Sequence, residues 1–186
     1  MAFRSAVARL AEGDAEAASA AATEAKRLAP RAAPIREILG IALYRAGAYR
    51  TALSELLAYR RMTGRVDQNH LIADAYRAAG SPEKAIPLID DALATSLPRE
   101  TRAEAVVVGA SALADMGRFQ EALSLLRRFP TRAEVGAEPD LRVWYVTADV
   151  LARSGRPSEA ATFLRLVVRF DPDAFDAAER LLDLDR

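Results

Sequence analysis

Apolar and small residues recur along the chain three and four positions apart, in stretches punctuated by glycine or proline. That period places side chains on one face of a helix. No stretch alternates with period two, so the pattern predicts helices and no strands. Gly13, Gly47, Gly80, Gly117 and Gly155 each stand between two such stretches, at spacings of 34, 33, 37 and 38 residues. Five residues after each glycine comes Ala18, Ala52, Ala85, Ala122 or Ala160. Seven before each comes Ala6, Gly40, Ala73, Ala110 or Ala148, all small. Four before come Arg9, Leu43, Tyr76, Leu113 and Leu151, and nine after come Ala22, Leu56, Ile89, Leu126 and Leu164.

These columns have one physical reading. A glycine adopts the left-handed conformation cheaply, ends one helix and turns the chain into the next. A small residue on each helix lets the two axes approach, while the larger residues one turn away fill the flanking space. Pro82, Pro139 and Pro157 fall in expected first turns, where a missing N–H costs nothing. Each hairpin leaves an apolar face uncovered and must stack on its neighbours.

This pattern resembles the tetratricopeptide repeat (TPR) family, a 34-residue helix–turn–helix repeat. In the last copy Trp144, Ala148, Leu151, Gly155, Ala160 and Pro172 fall on the family's aromatic, small, large, glycine, alanine and terminal proline positions. An earlier copy matches through Ala73, Tyr76, Gly80 and Ala85, and the one before it through Leu39, Gly40, Gly47, Tyr49 and Ala52. The first copy puts Arg9 in an apolar column. Within the family the chain is similar to uncharacterised bacterial members. The resemblance implies an all-α fold: a right-handed superhelix (α-solenoid) of about five TPR-like helix hairpins plus a C-terminal capping helix. It is expected as one repeat domain over 1–186, with repeats near 1–30, 34–64, 67–97, 103–130 and 141–172 and the capping helix at 173–184.

The longer spacings place extra residues near Thr95–Arg99 and Phe129–Asp140, where Pro98, Pro130, Gly136 and Pro139 signal loops. Phe3, Val7 and Leu10 begin the first helix abruptly, which suggests a longer parent protein.

Composition narrows the function. A chain of 186 residues, 51% apolar, can bury roughly 70% of its unfolded surface. Alanine is its commonest residue and aromatics make only 6%, so the interior relies on close backbone approach. The 26 basic and 26 acidic residues cancel, which argues against nucleic-acid or anionic-membrane binding. With no Cys and one His, disulfide, iron–sulfur and Cys–zinc chemistry are excluded and no cofactor is expected. No apolar run reaches the ~20 residues of a membrane span, and a cytoplasmic location is expected.

No phosphate-binding glycine loop, His-Glu-x-x-His or Gly-x-Ser-x-Gly motif is present, so a non-catalytic role is expected. His70, with Asp67 and Asp74 one turn to each side, lacks a nucleophile or metal partner. TPR resemblance implies a partner peptide or helix bound on the concave face, lined by the first helix of each repeat. The positions that fall there give the candidate partner-binding residues Tyr44, Arg45, His70, Asp74, Arg77, Arg142, Tyr145, Asp149 and Arg153. Arginines and tyrosines suit a polar, slightly acidic protein or peptide. The carboxylate clamp of chaperone-binding TPR proteins, two Lys, two Asn and an Arg, finds Glu37, Ile41, Leu71, Glu104 and Val108 at its positions, and no match. Shifted one repeat it finds His70, Asp74, Val108, Arg142 and Val146, with only Arg142 comparable.

Residues 45–65 carry five arginines against Glu55, and residues 171–186 carry six acids against Arg180 and Arg186. Opposite end charges are compatible with a head-to-tail homo-oligomer. The competing readings are a regulatory or sensor module of a larger protein, such as a transcriptional regulator, and a secretion-type chaperone.

Overall fold

The computed structural model describes residues 1–184, so Asp185 and Arg186 of the acidic end lie outside the described residues. The described chain is all helical: α1 (Ala2–Ala11), α2 (Ala15–Leu28), α3 (Ala33–Arg45), α4 (Tyr49–Thr63), α5 (Asn69–Ala78), α6 (Ala85–Leu93), α7 (Arg99–Asp115), α8 (Phe119–Leu126), α9 (Glu138–Arg153), α10 (Pro157–Phe170) and α11 (Ala177–Leu184). A 3-10 turn over Pro82–Lys84 leads into α6. Two compact units form, Met1–Leu88 and the remainder from Ile89 onward.

Each repeat glycine adopts a φ between 74° and 83°. The residue after it donates its N–H to the carbonyl four positions before it: Asp14 to Arg9, Ala48 to Leu43, Ser81 to Tyr76, Arg118 to Leu113 and Arg156 to Leu151, at 2.8–3.0 Å. That six-to-one bond closes the helix end and demands the left-handed residue, so glycine recurs for a geometric reason. The alanines five residues further on are all fully buried. Larger side chains do not fit the spot where two helix axes come within reach of each other.

In the first unit Ala6, Ala22 and Leu39 form one cluster and Leu10, Ala18 and Ala42 another. The degenerate column is tolerated because Arg9 is exposed and pairs with Glu12. Glu55 is buried on α4 and accepts from Lys26 of α2 at 2.6 Å and Arg36 of α3 at 2.7 Å. Two cations on one buried carboxylate fix three helices in one register. Asn69 is also buried, its side-chain amide donating to the Leu88 carbonyl at 2.8 Å.

In the second unit α7 begins at Arg99, immediately after Pro98, so that extra segment extends a helix. The other insertion follows α8, which stops at Leu126. Asp140, fully buried at the start of α9, accepts from Arg99 and from the Arg132 main chain at 2.9 Å. Arg99 also lies over the Phe129 ring, 4.3 Å from its centroid, and donates to the Pro130 carbonyl at 3.0 Å. The expected terminal helix over 173–184 is corrected to a start at Ala177. Asp171 Oδ1 accepts from the Asp173 N–H, and Phe175 sits at a φ of 58°, which breaks helical continuity before Asp176.

Candidate functional site

The first-helix faces carry the expected partner-binding residues, and each unit presents its own set. On α5, His70, Asp74 and Arg77 stand four and three residues apart, one stripe of a helix. Tyr44, in the last turn of α3, donates its hydroxyl to Asp74 Oδ2. Arg77 Nε donates to the other oxygen, Asp74 Oδ1, at 2.8 Å. One carboxylate therefore ties α3 to α5, and burial with the Asp74 hydrogen bond pushes the Tyr44 hydroxyl pKa well up. One turn or two away Gln68, the residue just before α5, donates to Glu37 of α3 at 2.9 Å and adds a second bridge.

Two of the expected residues behave differently. Arg45 leaves this group and donates to the Leu10 carbonyl at 3.1 Å, near the end of α1, where that oxygen also accepts from the Gly13 N–H at 3.3 Å. His70 is half-buried, and that burial lowers its pKa below the ordinary imidazole value. A hydrogen bond to the Asp67 main chain and the charges of Asp67 and Asp74 oppose the shift. At neutral pH His70 is thus an uncharged ring beside the Tyr44–Asp74–Arg77 group.

In the second unit Arg142, Tyr145, Asp149 and Arg153 lie along one stripe of α9. Arg142 pairs with Glu104 of α7 at 3.0 Å and with Glu138 of its own helix at 2.5 Å. Arg153 bridges Asp115 of α7 at 3.0 Å and Asp149 at 3.4 Å. Asp149 also accepts from Arg180 of α11 at 2.9 Å. Tyr145 donates to Asp176 at 2.5 Å and accepts from Arg180 at 3.1 Å. The Tyr145 and Phe175 rings meet at a tilt of 31° with centroids 4.6 Å apart, and Arg142 lies 5.9 Å from the Phe175 centroid. Burial, then the Asp176 hydrogen bond, raise the Tyr145 pKa.

The structure thus brings together Tyr44, Asp74 and Arg77 in one unit and Arg142, Tyr145, Asp149 and Arg153 in the other. That Glu104, Asp115, Asp176 and Arg180 pair with them is not read from the sequence. A signal existed: Glu104 and Arg142 both stand thirteen residues before a repeat glycine, and Asp115 and Arg153 both stand two before. Opposite charges in one column, one repeat apart, are placed to meet across stacked first helices. Within the second unit these pairs make a ladder of alternating charge with Tyr145 as a rung. It can offer hydrogen bonds and ring faces to a chain laid across it. No group of His, Cys, Asp and Glu among the described residues is placed to hold a metal ion.

Repeated left-handed glycine turns, buried alanine crossings and first helices stitched by polar rungs define a helix-hairpin repeat protein. The family model for the tetratrico peptide repeat matches residues 71–169, more than half of the chain, and the chain belongs to that family. The family is generally one of non-catalytic protein–protein interaction modules. The structure is similar to a thermophilic TPR protein of Thermus thermophilus, with a TM-score of 0.75 at 19% identity, covering 98% of this chain and 96% of that one. It is also similar to YrrB, described as a TPR protein with an unusual peptide-binding site, with a TM-score of 0.66 at 20% identity, covering 96% and 89%. A third likeness is to the human IFIT1 dimer with m7Gppp-AAAA, with a TM-score of 0.69 at 15% identity, covering 93% of this chain and 42% of that one. No curated protein matches the sequence. No helix among the described residues is long and apolar enough to cross a membrane.

Proposed function

We propose that the protein is a non-catalytic scaffold that binds a peptide or helix of a partner protein on a concave first-helix face, each unit offering its own set: Tyr44, Asp74 and Arg77 in the first, Arg142, Tyr145 and Arg153 in the second. One observation carries this reading. The turn before α11 lays Phe175 and Asp176 onto Tyr145, with Arg142 beside the Phe175 ring. The chain's own segment, an aromatic followed by an acid, thereby occupies first-helix side chains of the kind a partner would use. Aromatic stacking and a charge-assisted hydrogen bond are the contacts such a surface rewards. The peptide-binding description of YrrB agrees with a ligand of this class.

The test is a fluorescence-anisotropy titration with a labelled peptide holding an Asp-Ala-Phe-Asp core, run on the parent and on Phe175→Gly. Removing the intramolecular aromatic should tighten binding at the Tyr145 site. Binding that is equal in both proteins, and equal again in Arg142→Glu, would put the peptide elsewhere and sink the reading.

A further inference from the structure

A second surface lies on the opposite side of α9. Arg142, Tyr145, Asp149 and Arg153 mark one stripe of that helix, whereas Val143, Trp144, Thr147 and Leu151 point the other way at 100° per residue. These four face a cavity of about 250 Å³ together with Leu126, Phe129 and Phe163. Its origin is a shortened helix. α8 has 8 residues where α2, α4 and α10 have 14, 15 and 14, about 9 Å less helix at 1.5 Å per residue; α6, with 9 residues, is short too but is preceded by the 3-10 turn over Pro82–Lys84. The chain after Leu126 runs instead through the loop to Ala137, and the space that further turns of α8 would fill stays open.

The floor is apolar and the rim is basic. Trp144, Phe129, Val143 and Leu151 are buried beneath the opening. Arg127, Thr131, Arg156 and Glu159 form its edge. Arg156 and Glu159 neutralise each other through two hydrogen bonds of 2.6 Å. Arg127 is exposed, and its guanidinium has no hydrogen bond or ion pair among the described residues. An unpaired cation at the mouth of an apolar recess selects a carboxylate next to a bulky hydrophobic group. The volume falls below the ~300–1,000 Å³ of small-molecule pockets and matches an anchoring side chain.

We infer that this recess is a second docking site, which seats one large apolar side chain of a partner segment whose neighbouring Asp or Glu pairs with Arg127. It is separate from the first-helix face and stands or falls independently of it.

The single tryptophan of the chain lies in the recess and reports on it directly. The probe is a set of Trp-free octapeptides with a central Leu-Phe flanked by Asp and Glu, by Ser or by Lys. Saturable change in Trp144 emission is expected with the acidic set, weaker by about tenfold with the Lys set. Arg127→Glu should reverse that charge preference, and Thr131→Trp, checked for fold by circular dichroism and followed by calorimetry, should block entry. Arg153→Glu should leave binding unchanged, which separates this site from the first-helix face. Unchanged emission with every set, or binding without charge preference, would overturn the assignment. So would self-association that Arg127→Glu abolishes, since the occupant would then be a second copy.

Discussion

A Cβ placed on Gly40 would lie 2.6 Å from both Cγ and Cδ2 of Leu56, closer than carbon atoms approach. Leu56 is fully buried and has nowhere to retreat. Gly40 therefore exists for the α3–α4 crossing and outweighs its own cost of about 1 kcal/mol in helix propensity. Gly40→Ala should destabilise by about 1–3 kcal/mol through overpacking. The check is a urea denaturation cycle with Leu56→Ala, in which the double variant is less destabilised than the sum of the singles. Simple additivity would mean that the two residues do not meet.

The alanine column makes a second demand. Ala85 and Ala122 have no exposed surface, so Ala85→Leu and Ala122→Leu should each cost about 1–3 kcal/mol. Ala8→Leu, at an exposed position of α1, should change little. Thermal melts distinguish these outcomes, and equal midpoints for all three would refute the register.

Ion pairs in the second unit should rank by burial. Arg99→Met leaves the Asp140 carboxylate buried without its cation and should cost about 3–5 kcal/mol. Arg142→Met removes pairs that water reaches and should cost about 0–1 kcal/mol. Chemical denaturation of both variants gives the ranking directly.

The pH response has a defined sign. The folded chain holds His70 below its ordinary pKa, so the unfolded chain binds the proton first as pH falls. Stability from this residue is complete above about pH 6.5 and is lost as pH drops through the lower folded value. His70→Gln should therefore lose less stability than the parent between pH 7.5 and pH 5, measured by urea midpoints. An identical loss in both would show that His70 is not the titrating group.

Much of the fold was legible because backbone geometry writes directly into the sequence. A left-handed helix end requires glycine and a close crossing requires alanine, and both recur at fixed offsets. The terminal helix began four residues late because Asp171 and Phe175 shape a local turn that helical periodicity does not reveal. Of the candidate positions, spacing alone put Asp74 and Arg77 on one stripe of α5 and Arg142, Tyr145, Asp149 and Arg153 on one stripe of α9, with Tyr44 in the last turn of α3. Their mutual pairing was not read, although the Glu104–Arg142 and Asp115–Arg153 columns held it. Arg45 escaped because nothing in its spacing reveals the Leu10 carbonyl. The recess at Trp144 escaped for another reason: the spacing gave the length of the insertion and not the truncation of α8.

In the proposed function a partner protein docks on a first-helix face. Partner capture from native extract, comparing the parent with a folded Arg77→Glu, Arg142→Glu double variant, tests it most directly. Docking there requires a protein that the parent retains and the variant releases, with cross-links from that protein to α5 or α9. Equal retention by both, with cross-links confined to other surfaces, would contradict it.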